Sequence, residues 1–237
     1  FSAFRCDLYK EVKGVFTADP CMIGEAQKLD SISYVEMLEL SSSGAKVLHS
    51  RAVEIAMRYK IPTNILPTFI EDSGTMLVDE TQITKDNVIT AITHSFNEAI
   101  VTVTGVQTLQ NVESLISLLG TNKISTDLIV NNFIQNQTSF TFTISSSKVN
   151  SLKEILNTYK TIVQCGNLIV NDDVCRISLI GSGIKSYPET INKALRALLE
   201  QKLEVLLFSC SEVKLTIFVH KKDMTSAMQA LHKAFIK

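Results

Sequence analysis

Charge of one sign is the plainest thing this 237-residue chain lacks. Its 23 lysines and arginines stand against 24 aspartates and glutamates, for a formal net charge of -1. That balance supplies no field for nucleic acid or an anionic membrane, and both are excluded as expected partners. Long hydrophobic runs are missing too. No apolar stretch approaches the ~18 residues that a helix needs to cross a bilayer, and no signal-peptide pattern is visible. The five cysteines are Cys6, Cys21, Cys165, Cys175 and Cys210. Their number is odd and no Cys-x-x-Cys spacing occurs, which fits reduced thiols in a cytosolic protein. The histidines, His49, His94, His220 and His232, are scattered, so no metal site is expected.

What is present is enough apolar material for folded cores: 45% hydrophobic residues against 20% charged. At roughly 150 residues per domain, one to two domains are expected. The chain opens inside an apolar-polar alternation at Phe1, the pattern expected of a piece whose natural start lies upstream.

A repeat organises the second half. From Ala99 the chain reads strand (Ala99 to Gly105), helix (Asn111 to Gly120), strand (Asp127 to Val130), strand (Ser139 to Ile144) and helix (Lys148 to Tyr159). The same order returns from Cys175 to Phe235. Val112, Leu115, Ile116 and Leu119 match Ile191, Ala194, Leu195 and Leu198; Phe140, Phe142 and Ile144 match Leu215, Ile217 and Val219. One supersecondary unit is used twice, and its β-α-β-β-α order is the ferredoxin-like pattern. Each sheet is expected to bury one face under two helices, as the period-two pattern at Phe140, Phe142 and Ile144 requires. A strand at Val88 to Ile92 precedes the first unit, with Asn167 to Val170 as its one candidate counterpart.

The first half reads differently. Arg5 to Tyr9 is a short strand candidate. Gly14-Val-Phe-Thr-Ala-Asp-Pro20 is a loop in which Gly14 supplies positive φ and Pro20 keeps Asp19 out of a helix. Loops at the carboxyl ends of strands in open α/β sheets are where nucleotides sit, although on composition alone this one fits a structural turn better. Ser33 and Glu36 have capping-box spacing, predicting a helix from Tyr34 to Leu40. Gly44 ends that helix, and a second is expected from about Ala45 to Tyr59, stopped by Pro62. Thr63 to Leu66 reads as a strand that Pro67 limits to an edge or end position. Asp79 to Asn87 is polar and reads as a linker.

Several of these stretches resemble the aspartate kinase family in order and spacing, over nearly the whole chain. They are Gly14 to Pro20, Lys28 to Leu40, Gly44 to His49, Thr102 to Val106, Asp127 to Val130, Ile177 to Gly181, Lys185 to Pro188, Ser209 to Lys214 and Ala230 to Phe235. The fold class expected from the resemblance is α+β: the carboxyl-terminal part of an amino-acid kinase domain (1–80), a linker carrying the first strand of the second ACT unit (81–95), a first ferredoxin-like ACT unit (96–165) and a second (166–237). The resemblance further implies that the first ACT unit is inserted into the second.

The family transfers the γ-phosphoryl of ATP to the side-chain carboxylate of aspartate, at the start of lysine, threonine and methionine biosynthesis. The resemblance implies ATP contacts at Lys10, Glu11, Phe16, Asp19, Cys21, Lys46 and Val47, with ATP and Mg2+ as cofactors of the full-length enzyme. A lysine at the phosphates suits a reaction catalysed by positioning and charge stabilisation. Lys10-Glu11 stand where the family commonly has Thr-Asp, Phe16 where Tyr is frequent, and Cys21 where it commonly has Arg, a planar donor fork. The family's Lys-Phe-Gly-Gly-Thr motif and aspartate-binding groups match nothing in this sequence. No catalytic residue is assigned, and the polypeptide alone is expected to be inactive.

Family ACT units bind amino-acid effectors, usually lysine or threonine, where paired units meet. The resemblance places effector contacts at Thr108, Asn111, Ser125, Thr126, Asp127 and Asn131 in the first unit and at Lys185, Ser186, Tyr187 and Pro188 in the second. Thr108 and Asn111 stand at the Asp and Gly of the family's Asp-x-Pro-Gly. A homodimer through the ACT units is the expected assembly. The alternative is a non-catalytic amino-acid-binding regulatory subunit or a degenerate remnant.

Overall fold

The computed structural model of the chain describes residues 4–83, 87–106, 108–134, 137–159 and 166–236. It is a mixed α+β structure of two compact units. One comprises Phe1–Ser95 with Arg176–Lys237, and the other Phe96–Cys175. Gln107, Cys165 and part of the linker, residues 84–86, lie outside the described residues.

The discontinuous unit begins with a four-stranded sheet. Its strands are β1 (Cys6–Lys10), β2 (Ser31–Ser33), β3 (Thr63–Pro67) and β4 (Thr75–Val78), in the order β1-β3-β4-β2. β1 and β3 are parallel, β4 runs against β3, and β2 is parallel to β4. Pro67, which has no N–H to give a ladder, closes β3 at its last position.

Helix α1 (Tyr34–Ser42) starts on the predicted capping box. Ser33 Oγ accepts from Glu36 N–H, and the Glu36 carboxylate reaches back to Ser33. Helix α2 (Ser50–Arg58) begins later than expected. Residues 45–49 stay outside it because His49 takes the N-cap position, its Nδ1 accepting from Arg51 N–H at 3.3 Å, while Leu48 turns into the core. Ile32, Met37, Leu40, Val53, Ile65 and Leu77 fill that core together with Ala91 and Ile180.

The strands around the repeat are longer than the sequence pattern indicated. Strands were expected separately at Val88 to Ile92 and at Ala99 to Gly105; one strand, β5, runs Ala91–Thr104. Likewise Asn167 to Val170 and Ile177 to Gly181 belong to one strand, β8 (Leu168–Ile180). The polar residues His94, Ser95 and Asn97, and Asn171 to Asp173, lie inside these strands. They are exposed or half-buried positions within continuous ladders.

In the contiguous unit, β6 (Thr126–Ile134) and β7 (Gln137–Ile144) join β5 and β8 in the order β6-β7-β5-β8. Helices α3 (Leu109–Thr121) and α4 (Val149–Thr158) complete a β-α-β-β-α-β unit. Ala99, Val101 and Val103 alternate inward, facing Phe140, Phe142 and Ile144 with Val112, Leu115, Leu119, Leu152 and Leu156. Each fully buried side chain of this size contributes about 1.5–3 kcal/mol. The opposite face is more polar, with Thr102 and Thr141 hydroxyls 3.0 Å apart.

The same order is found at the end of the discontinuous unit. Here β5 and β8 neighbour β10 (Lys214–His220) and β9 (Leu207–Cys210), in the order β5-β8-β10-β9, with helices α5 (Pro188–Glu200) and α6 (Met224–Phe235). Gly105 and Gly181 hold corresponding places. Thr90 N–H bonds Ile180 O beside Gly181, and Gly166 N–H bonds Thr104 O beside Gly105. A Cβ on Gly181 would lie 1.8 Å from Val88 O, so only glycine allows that approach.

Candidate functional site

The segment from Glu11 to Asp30 crosses the carboxyl ends of β1 and β3. It is pinned at its base by Thr75, whose hydroxyl accepts from Val15 N–H at 2.9 Å and donates to Leu29 O at 2.7 Å. Gly14, at φ +127°, makes this approach possible: a Cβ there would stand 2.6 Å from Thr75 Oγ1. Further along, Thr17 N–H bonds Gln27 O, and Gln27 N–H returns to Thr17 Oγ1 at 3.0 Å. Phe16 bridges Lys28 between these bonds. At the tip, the Asp19 carboxylate accepts from Cys21 N–H at 2.9 Å, and its carbonyl accepts from Met22 and Ile23.

Topology brings the remaining candidates to the same end. α1 leaves β2 at the far end of the sheet and runs back, and α2 then returns to feed β3. Lys46 and Val47, between the helices, therefore lie at the end where β1 finishes with Lys10. Lys10 O accepts from both the N–H and the hydroxyl of Thr68. Lys10, Glu11, Asp19, Cys21 and Lys46 are exposed, while Phe16 and Val47 are half-buried. Of the seven, Asp19 and Cys21 are joined directly.

Beside Lys10 opens a cleft of about 470 Å³ lined by Tyr9 and Leu66–Asp72. Lys28 pairs with Asp72 at its rim. The hydrogen bond from Lys28, then that from Gly74 N–H, holds the Asp72 carboxyl below the usual carboxylate range. Among the described residues, no group of three or more His, Cys, Asp or Glu is arranged to hold a metal ion.

The effector candidates of the contiguous unit do not form one cluster. Thr108 is the N-cap of α3 and shares a capping box with Asn111: Thr108 Oγ1 accepts from Asn111 N–H at 3.2 Å, and Asn111 Oδ1 accepts from Thr108 N–H at 3.2 Å. The register sets Thr126 opposite Ile144, and Asn131 opposite Phe140 at the end where β5 finishes. Ser125, Thr126 and Asp127 thus lie at one end of β6. Asn131, Thr108 and Asn111 lie toward the other, about 13 Å away along the strand at ~3.3 Å per residue. In the discontinuous unit, Lys185 and Ser186 form a short turn after Gly183, and Tyr187 and Pro188 start α5. Lys185 Nζ lies 3.6 Å from the Glu212 carboxylate, both well exposed.

Two buried polar residues matter more than the sequence reading allowed. Glu36, assigned only to a cap, is fully buried. Its carboxylate also accepts from the Thr90 hydroxyl at 2.6 Å and from Ser182 N–H at 3.2 Å. His232, 4% exposed, has Nε2 3.1 Å from Thr17 Oγ1. Both stand on apolar helix faces, Glu36 one turn before Leu40 and His232 one turn after Met228. A polar residue on such a face needs a partner, and that was the available signal.

Comparison with known proteins matches two segments of the chain. Residues 1–67 match the amino acid kinase family, and residues 177–235 match an ACT domain. An aspartate kinase of Stutzerimonas stutzeri is 32% identical over 236 residues, 98% of this chain and 57% of the relative. Along nearly its whole length the chain is similar to aspartokinases. It spans a little over half the length of the curated relatives it matches. The chain also shares its fold with solved aspartate kinases. The Clostridium acetobutylicum aspartate kinase aligns with a TM-score of 0.86 at 20% identity, over 98% of this chain and 54% of that one. Escherichia coli aspartokinase III, in complex with aspartate and ADP, aligns with a TM-score of 0.83 at 22% identity, over 99% and 53%. The same enzyme with lysine and aspartate gives 0.77 at 20%, over 99% and 52%. Among the described residues, no helix is long and apolar enough to cross a membrane.

Proposed function

We propose that this chain serves an aspartate kinase, in which ATP phosphorylates the side-chain carboxylate of aspartate at the start of lysine, threonine and methionine biosynthesis. The observation that carries this reading is the alignment with aspartate kinases along 98% of the chain, across both the kinase-type and ACT-type segments. The E. coli relative's complex with aspartate and ADP supports the substrate and nucleotide.

In this reading Lys10, Glu11, Phe16, Asp19, Cys21, Lys46 and Val47 face the nucleotide at the carboxyl end of the four-stranded sheet. Lys46 and Lys10 bring positive charge toward the phosphates, where developing charge needs stabilising. Phe16 offers a flat apolar surface. Mg2+ would enter with the nucleotide and offset the charge of its phosphates. The 237-residue chain alone is inactive as a kinase.

The ACT units, 96–165 and the second built from 81–95 with 166–237, take an amino-acid effector, lysine or threonine, and pair as a homodimer. Lysine in the E. coli T-state complex supports the effector class. The wide separation of Ser125–Asp127 from Thr108 and Asn131 favours a site completed by a second unit over one closed within a single unit. Calorimetric titration with Mg-ATP, lysine and threonine tests both halves. Heat with ATP and with one amino acid is expected. Heat with an amino acid but none with ATP would favour the second reading, a regulatory subunit, to which the exposed Cys21 in place of a cationic fork also points.

A further inference from the structure

The last helix carries a histidine that the proposed function leaves unused. His232 lies on the buried face of α6 with Met228, Leu231 and Phe235. Its ring meets a loop residue that is fastened on three sides. Thr17 exchanges two hydrogen bonds with Gln27 across the loop, and its carbonyl accepts from Ile92 N–H at 2.7 Å. Its hydroxyl oxygen then lies 3.1 Å from His232 Nε2. A hydroxyl has one donor and two lone pairs, so Thr17 can take the Gln27 N–H and still bond either neutral tautomer of the ring. Beyond Thr17, the bonds at Asp19 run within its own turn, to residues 21–23. Thr17 thus ties the loop to the body of the unit, beside the buried Ala18 and Ile23.

We infer that His232 is a positioning residue for the nucleotide loop. Through the Thr17 hydroxyl, the final helix of the ACT-type segment holds Val15–Asp19 in the conformation that a nucleotide meets. The inference rests on the nucleotide reading of residues 10–21. Burial, which pushes the His232 imidazole below the ordinary histidine range against the pull of Glu25, keeps the ring neutral near pH 7 and able to use either tautomer. The contact gives the ACT-type segment a direct handle on the loop, 215 residues away in sequence.

The test compares the 237-residue chain with His232→Ala, His232→Gln, Thr17→Val and the double variant Thr17→Val/His232→Ala. Amide hydrogen exchange is read at residues 14–19 and, as reference, in β4 and α1. Loss of one buried hydrogen bond is expected to speed loop exchange about five- to tenfold, with the reference segments unchanged. Gln restores protection, and the double variant is no faster than Thr17→Val alone, which also gives up the acceptor of Gln27 N–H. Where the unaltered chain binds Mg-ATP, His232→Ala weakens binding by a similar factor. Unchanged loop exchange, or additive effects in the double variant, would overturn the inference. Failure of the unaltered chain to bind Mg-ATP would overturn the nucleotide reading instead, while the exchange comparison still decides whether His232 holds the loop.

Discussion

Gly181→Ala is a demanding test of how the last segment is built. The new Cβ would meet Val88 O at 1.8 Å, Val88 C at 2.8 Å and Ile89 Cα at 2.9 Å. All three are backbone atoms, so no side-chain rotation relieves the contact. Reaching an ordinary 3.4 Å from Val88 O requires a shift of about 1.6 Å (3.4 less 1.8). Such a shift breaks Thr90 N–H to Ile180 O, a bond worth about 1 kcal/mol. It also pulls the Thr90 hydroxyl from the buried Glu36 carboxylate, a charged-acceptor bond worth about 1.5–3 kcal/mol. Ile89, 1% exposed, loses packing worth on the order of 1 kcal/mol. The sum is about 4 kcal/mol, a large loss for a single methyl group. Urea unfolding of the variant measures it, with Gly120→Ala as control. A Cβ on Gly120 meets nothing within 4 Å, and that change within α3 should stabilise by about 0.5–1 kcal/mol. A loss below about 1 kcal/mol in Gly181→Ala, with unchanged urea dependence, would refute the close packing of Val88 on Gly181.

Phe142→Ala empties a fully buried site in the contiguous unit and should cost about 3–5 kcal/mol by denaturant unfolding; a loss near 1 kcal/mol would mean the site collapses around the gap. Thr108→Ala removes the α3 cap and should lower stability by about 1 kcal/mol, so an effector titration on this variant separates capping from ligand contact. Burial holds both His94 and His232 below the ordinary histidine range, with Asp19 and Glu25 pulling the other way. The unfolded chain therefore takes up protons first as pH falls. The stability tied to neutral rings is complete above about pH 6.5 and is lost as pH drops toward the folded values. Urea midpoints should fall between about pH 7.5 and about pH 5.5, less steeply in His232→Gln; equal slopes in the two proteins would contradict the assignment.

Local patterns made much of the fold legible. Ser33 and Glu36 announced α1, Pro62 marked the end of α2, and Phe140, Phe142 and Ile144 showed which face of β7 is covered. The same local reading failed where an element's neighbours decide. His94, Ser95 and Asn97 are polar, yet β5 runs through them, because strand continuity depends on paired backbone groups and tolerates polar side chains at uncovered positions. Ala45 to His49 suits a helix in composition, but Leu48 is drawn into the core and His49 caps the helix that follows. For the site, the family resemblance pointed to the loop and Lys46 as candidates. It could not supply Thr17 with His232, or Glu36 with Thr90 and Ser182, since neither pairing has a spacing a sequence window can register.

The discontinuity of the larger unit bears on how the chain folds as it is made. Ala91 and Ile180 share a core with Val15 and Ile32, so that core stays open until the residues after 175 have emerged from the ribosome. Residues 96–175 form a contiguous unit with mostly local pairings and can collapse earlier. During that interval the nascent amino-terminal segment exposes Ile32, Ile65 and Leu77, the kind of surface that chaperones bind and aggregates share. Slowed translation after residue 175 should prolong that vulnerable state.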